Sequence, residues 1–510
     1  MKKGENDLGY KYPTLHPLKH ACSKGIMKLK LITALSGTLI LLAACSQAPS
    51  RSTQSVAGLE TSTKATTVST VSGPVAGYID DGVYIYKGIP YAKAERLQPA
   101  VDPEPWKDVR SSRAYGPTCP QDKRMGWYSD AQAFTMHWDD GFPDEDCLRV
   151  NVWTAGINDG TKRPVMVWLH GGGFRAGSGQ ELISYNGTNL ARDHGVVVVS
   201  LNHRLNVLGF LDLSAYGAKY AHSGNLGMLD IVKALEWVRD NIANFGGDPT
   251  NVTIFGQSGG GGKVCTLMAM PSAKSLFNKA IVQSGSITNL ITPYYSRRIG
   301  AAVVKALGLT PSKIDDIAKV PYQDLLAAYN DAIKAVVAEA REDGALPGNF
   351  LEALLYGQEP VVDGDVLPFQ PSSAEAMAMS KDIPVIIGTT YHEFTRDQED
   401  PIFKPLAIAQ AAARTDAGCA PAYLYQFTWE SPVLDGALGS THCMELPFVF
   451  DNVMLHRTLT GGGEDAVQLG HRMSRLWTNF AKTGKPQADG MPEWTPYPST
   501  LTINIKTNIN

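Results

Sequence analysis

The chain has 510 residues, 44% of them apolar and 19% charged, with a net charge of −4. That composition suits a globular protein with a large core. It excludes a mostly disordered chain, a collagen-like chain and a multi-span membrane protein. With 46 Lys+Arg against 50 Asp+Glu, there is no basic excess to form a footprint for nucleic acid.

At the N-terminus, residues 1–26 read as an extension foreign to any signal peptide, with Met27 as the expected true start. Lys28 and Lys30 precede an apolar run at 31–44 that is too short to span a bilayer comfortably. The run ends Leu42-Ala43-Ala44-Cys45, which resembles a bacterial lipobox. The expectation is a lipoprotein signal over 27–44, a lipid-modified Cys45, and a polar Ser/Thr-rich tether over 45–72. The chain would then be exported and membrane-anchored only through that lipid. Outside Cys22 and Cys45 five cysteines remain: Cys119, Cys147, Cys265, Cys419 and Cys443. Five is odd, so at least one thiol stays free, and export permits disulfides. No CxxC or His/Cys cluster has metal-site spacing.

A single domain is expected over 73–510. Residues 75–79 and 83–86 flank the turn Asp80-Asp81-Gly82, a hairpin signal. Short strands are expected at 150–153, 252–255, 281–283 and 384–388. The runs PVMVWLH at 164–170 and VVVVSL at 196–201 are apolar without alternation, as in strands buried on both faces of a parallel sheet. Residues 229–243 have helical spacing, and 297–357 reads as a helical insertion. Strands alternating with helices give an α/β fold with a mostly parallel sheet.

Two glycine motifs stand at strand ends. Gly256-Gln257-Ser258-Gly259-Gly260 follows the strand at 252–255, and its glycines allow a strained turn that exposes the Ser258 hydroxyl. His170-Gly171-Gly172-Gly173-Phe174 follows PVMVWLH, where a glycine run lets backbone N–H groups face a developing oxyanion.

These motifs sit within longer ones. Residues 245–260, FGGDPTNVTIFGQSGG, and 145–153, EDCLRVNVW, resemble the two signatures of the type-B carboxylesterase family, with Arg149 departing from the second. YKGIPYA at 86–92, GNLG at 224–227, QSG at 283–285 and WTNF at 477–480 extend the resemblance to nearly the whole chain after residue 75. The resemblance implies an α/β-hydrolase fold and serine-dependent hydrolysis of small carboxylic esters, with neither metal nor cofactor. Within IGTTYHE (387–393) it implies Glu393 as the acid, although Phe394 replaces the usual glycine after it. Within GSTHCMELP (439–447) it implies His442 as the base. The oxyanion donors would be the N–H groups of Gly172, Gly173 and Gly259. Ser284 matches the serine that hydrogen-bonds the acid, and Cys119 and Cys147 match the family's N-terminal disulfide.

Several neighbours are expected to stay out of the chemistry. His392 is expected to be solvated, His170 to prop the glycine loop, and Asp363-Gly364-Asp365 to be a plain turn. Glu393 and His442 are only 49 positions apart (442 − 393), shorter than the family's usual segment, with 397–401 as the join of a deletion. The C-terminus likewise stops early against the family's last strand. The alternative to an esterase is a non-catalytic or impaired binding protein on the same fold. Oligomeric state is open.

Overall fold

The computed structural model describes residues 58–122, 130–139 and 141–509. The expected extension, signal segment and lipidated Cys45 lie outside the described residues.

The apolar runs do become the centre of a sheet. Its strands run in the spatial order Leu59–Glu60, Tyr78–Asp80, Val83–Pro90, Arg149–Thr154, Val197–Leu201, Arg163–Leu169, Gly247–Gln257, Lys279–Gln283, Val385–Thr390, Ala422–Phe427, Thr500–Ile503 and Asn508–Ile509. Pairing is parallel from Val197–Leu201 through Thr500–Ile503 and antiparallel at both margins. The strand Arg163–Leu169 shows why such runs lack alternation. Val165, Val167 and Leu169 enter the core on one face, while Met166 and Trp168 enter the core on the other. Both faces are covered, so both sets of side chains are apolar.

Helices supply the cover. Leu226–Asn241 buries Ile231, Leu235 and Val238 on one side. Glu464–Thr483 buries Leu469, Met473, Trp477 and Phe480 on the other. The latter begins with Glu464 and Asp465 and ends at Gly484 in the left-handed conformation, so both ends suit the helix dipole and backbone geometry. The insertion is helical, as expected, in Pro293–Ala306 and Tyr322–Glu342.

Three expectations are corrected. The tether does not extend to residue 72. Thr63–Thr66 is a helical turn and Thr67–Thr70 a strand, because Thr66 and Val68 are fully buried and Tyr86 donates its hydroxyl hydrogen to the Thr66 carbonyl at 2.8 Å. Consequently Gly73–Ala76 pairs with Thr67–Thr70 in a separate three-stranded sheet, and only Tyr78–Asp80 forms the hairpin with Val83–Pro90. The Cys119–Cys147 disulfide is absent. Both are free, buried thiols. They lie within hydrogen-bonding reach of each other, and that contact with burial holds the Cys147 pKa well above its usual value. The Leu205 N–H occupies Cys119 Sγ at 3.3 Å. Finally, His392 is buried rather than solvated, because Nδ1 accepts the Ser440 N–H at 3.0 Å and the Ser440 carbonyl accepts the His392 N–H.

The join after Glu393 is ordered. The Asp400 carboxylate accepts the N–H groups of Ile402, Phe403 and Lys404, which starts the helix Phe403–Asp416.

Candidate active site

Ser258 sits between the end of the strand Gly247–Gln257 and the start of the helix Gly259–Met268, at φ 57° and ψ −126°. A non-glycine residue rarely adopts that conformation, and strain of this kind collects at functional turns. The turn fits only because glycines surround it. A Cβ on Gly260 would stand 2.0 Å from the Leu169 carbonyl oxygen, and one on Gly259 would stand 2.2 Å from that of Gly173. The glycine loop therefore packs directly on the first turn of the serine's helix. Gly172 and Gly173 have φ of +80° and +63°, and the N–H of Gly259 belongs to a helix start without intrahelical partners.

Glu393 lies just past the strand Val385–Thr390 and pairs with Thr441 as an isolated bridge. The His442 N–H donates to the Glu393 carbonyl at 2.9 Å, which sets the histidine loop against the acid. The Glu393 carboxylate is buried. Oε1 accepts from Ser284 Oγ at 2.6 Å and from the Thr390 N–H at 2.8 Å. Oε2 meets His442 Nδ1 in a short contact. This arrangement puts the imidazole proton on Nδ1 and leaves Nε2 as an acceptor. Gln257 Nε2 lies 3.1 Å from that Nε2, while its Oε1 accepts from Cys443 Sγ at 3.1 Å.

Ser258, His442, Gly172 and Gly173 all line one cavity of about 450 Å³ with Trp138, Leu182 and Phe394. The rings of Phe394 and Phe403 lie 4.4 and 5.2 Å from the His442 ring, so aromatic surface covers the imidazole. Phe394 itself remains more than half exposed.

Of the residues singled out by sequence, Ser258, Glu393, His442, Ser284, Gly172, Gly173 and Gly259 come together. His170 is buried behind the glycine loop, with Nδ1 against the Gly171 carbonyl at 2.9 Å and its ring stacked on His203. Burial holds its pKa well below the ordinary value. Asp363 accepts the N–H groups of Asp365 and Leu367 in a local turn and receives Asn225 Nδ2 at 2.9 Å.

Sequence reasoning missed four neighbours of the site. Gln257 was only the spacer before the serine. Lys263, on the serine's helix, is fully buried and donates Nζ to the His170 carbonyl at 2.9 Å. Burial lowers its pKa to about 7. Glu445 is buried beside Glu393 and accepts from Gln283 Nε2 at 3.1 Å. Burial first, and the Glu393 charge second, raise its pKa to about 7. Phe403 belongs to the helix after the join. A lysine inside a small-residue helix was the one legible signal among these.

The Carboxylesterase family model matches residues 64–402 and 399–510, and its two stretches meet where the sequence suggests a deletion. The para-nitrobenzyl esterase of Bacillus subtilis is 36% identical over 481 residues, covering 84% of this chain and 92% of that protein. Human cocaine esterase is 31% identical over 492 residues, covering 81% of each. Among solved structures, an esterase from Clostridium hathewayi that can hydrolyze aliphatic aromatic polyesters superposes with a TM-score of 0.76 at 33% identity, covering 87% of this chain and 95% of that one.

Proposed function

The chain belongs to the carboxylesterase family and is an α/β-hydrolase enzyme, and from that premise we propose that it hydrolyses small carboxylic esters through an acyl-enzyme on Ser258. His442 takes the serine proton as the hydroxyl attacks the ester carbonyl, then returns it to the leaving alcohol. Glu393 holds the imidazole tautomer and offsets its positive charge. The N–H groups of Gly172, Gly173 and Gly259 stabilise the tetrahedral oxyanion, each worth roughly 3 kcal/mol in comparable sites. Water repeats the sequence on the acyl-enzyme.

The observation that carries this reading is the buried chain from Ser284 through the Glu393 carboxylate to His442 Nδ1, with His442 lining the same cavity as Ser258. A non-catalytic binding protein has no use for a strained serine turn and an oriented histidine on one cavity. Ser258→Ala is expected to reduce turnover of a nitrophenyl ester by 10⁴-fold or more, on the order seen when such serines are removed. An unchanged near-ultraviolet circular dichroism spectrum would show that the fold survives. Wild-type-like turnover in that variant would remove Ser258 from the mechanism.

We also propose that the enzyme is exported and lipid-anchored through Cys45. The support is the sequence alone: Leu42-Ala43-Ala44-Cys45 after a short apolar run. Wild type is expected to partition with membranes and take up labelled fatty acid, and Cys45→Ser to do neither. Unlipidated, soluble wild type would leave a plain exported esterase.

A further inference from the structure

A second cavity, of about 260 Å³, opens at the far end of the serine's helix. Met268 and Ala269 reach it from the end of that helix, Met377 from the helix Ala374–Met379, and Leu406, Ala409 and Ala413 from the helix Phe403–Asp416. These walls are mostly apolar, and Thr288, Asn289, Ser372, Ser380 and Gln410 add neutral polar groups to them. Among the described residues that line the cavity, Arg414 is the only charged side chain, and it is only 3% exposed.

Arg414 is held in place but not neutralised. Nη1 donates to Ser380 Oγ at 3.0 Å, and Nη2 donates to the carbonyls of Ser380 and Ile383 at 3.0 and 2.9 Å. Among the described residues its Nε–H has no hydrogen-bond partner. Among the described residues no carboxylate forms an ion pair with it, although Arg204, the other deeply buried arginine, is matched to Asp230. Neutral acceptors orient a guanidinium but leave its charge uncompensated, and a buried charge without a counter-ion is strongly unfavourable. Gln410, beside it, meets Cys265 Sγ at 3.2 Å with Nε2, and its Oε1 has no partner among the described residues. Turned about its last torsion, that amide accepts from the thiol and offers its N–H groups on the other side.

We propose that this cavity is a binding site for an aliphatic monocarboxylate, separate from the Ser258 cavity. The carboxylate supplies the missing counter-charge at Arg414, and the aliphatic tail fills the space between Met268, Met377 and Leu406. Guanidinium and carboxylate match in shape as well as in charge. A single cation among apolar and neutral polar walls favours one negative group with a hydrocarbon tail over a polyanion.

The test is calorimetric titration of the full chain with sodium octanoate and with 1-octanol. Ala409 is exposed at the mouth of the cavity, so Ala409→Trp blocks access without touching Arg414 or the core. Octanoate is expected to bind wild type at a site that Ala409→Trp weakens at least tenfold, and octanol to bind that site at least tenfold more weakly than octanoate. Arg414→Met is expected to abolish octanoate binding there. If Arg414→Met fails to fold, the Ala409→Trp and octanol comparisons still decide the matter. Octanoate that does not bind, that binds Ala409→Trp as well as wild type, or that binds no better than octanol overturns the proposal. Crystals soaked with 8-bromooctanoate should show the anomalous bromine signal between Met268, Met377 and Leu406. A signal only in the Ser258 cavity would also overturn it.

Discussion

Lys263 illustrates how a single side chain beside the site trades charge for position. Its ammonium holds the carbonyl that precedes the glycine loop, yet burial lowers its pKa from 10.5 to about 7, and the Glu181 carboxylate offsets that only in part. Below pH 7 both folded and unfolded chains carry the proton, so the folded state bears the full penalty of a buried charge. Between pH 7 and 10.5 the unfolded chain holds more protons than the folded one, and stability rises with pH. Above that window the penalty is gone. Lys263→Met is therefore expected to gain a few kcal/mol at pH 6.5, less about 1 kcal/mol for the lost hydrogen bond. The gain should shrink as pH approaches 10. Urea denaturation of both proteins at several pH values checks this, and a difference independent of pH would contradict it. Glu445 has the opposite dependence. Its raised pKa lets it enter the fold neutral below about pH 7, and its penalty appears as pH rises from 4.5 through 7.

The segment between Glu393 and the helix Phe403–Asp416 sets the roof of the histidine. Asp400 caps the helix, the helix brings Phe403 over the imidazole, and Phe394 takes the outer position at the cavity wall. A shorter chain here does not leave the histidine bare, because His442 is only 2% exposed. Phe394 restricts the cavity more than it supports the core. Phe394→Ala is expected to raise the kcat/KM ratio of long-chain over acetyl nitrophenyl esters by roughly tenfold, the range that a few methylene contacts command. The melting temperature should fall by only a few degrees, since the side chain is more than half exposed already. An unchanged acyl preference would place Phe394 outside the substrate's path.

At the scale of the whole molecule, the sheet is tied to one of its covering helices by a buried ion pair as well as by apolar contact. Arg204 follows the strand Val197–Leu201 and Asp230 lies inside the helix Leu226–Asn241. Two bonds from the guanidinium to the carboxylate, at 2.6 and 2.8 Å, and one to the Gln98 carbonyl at 2.6 Å join three distant parts of the chain. Removing one charge leaves the other buried without a partner. Asp230→Asn is expected to lose about 3–5 kcal/mol of stability. A lower urea midpoint with an unchanged slope would show that native compactness is kept. A loss under 1 kcal/mol would mean that water reaches Arg204.

Local sequence determined the features that depend on neighbouring residues. The unalternating runs at 164–170 and 196–201 became central parallel strands, because burial on both faces demands apolar residues at every position. The glycines around Ser258 and after His170 announced two tight turns, because only glycine tolerates those backbone approaches. Family motifs then singled out Glu393 and His442, which the structure joins through a hydrogen bond. Tertiary structure alone decided the rest. His392 is buried, Gln257 turns its amide toward the imidazole, Phe403 reaches His442 from the helix beyond the join, and the buried Arg414 lines a cavity beside the serine's helix. Each of these is an encounter between side chains on separate elements. Periodicity reports which face of an element is buried, but the partner it meets there is fixed only when the layers pack.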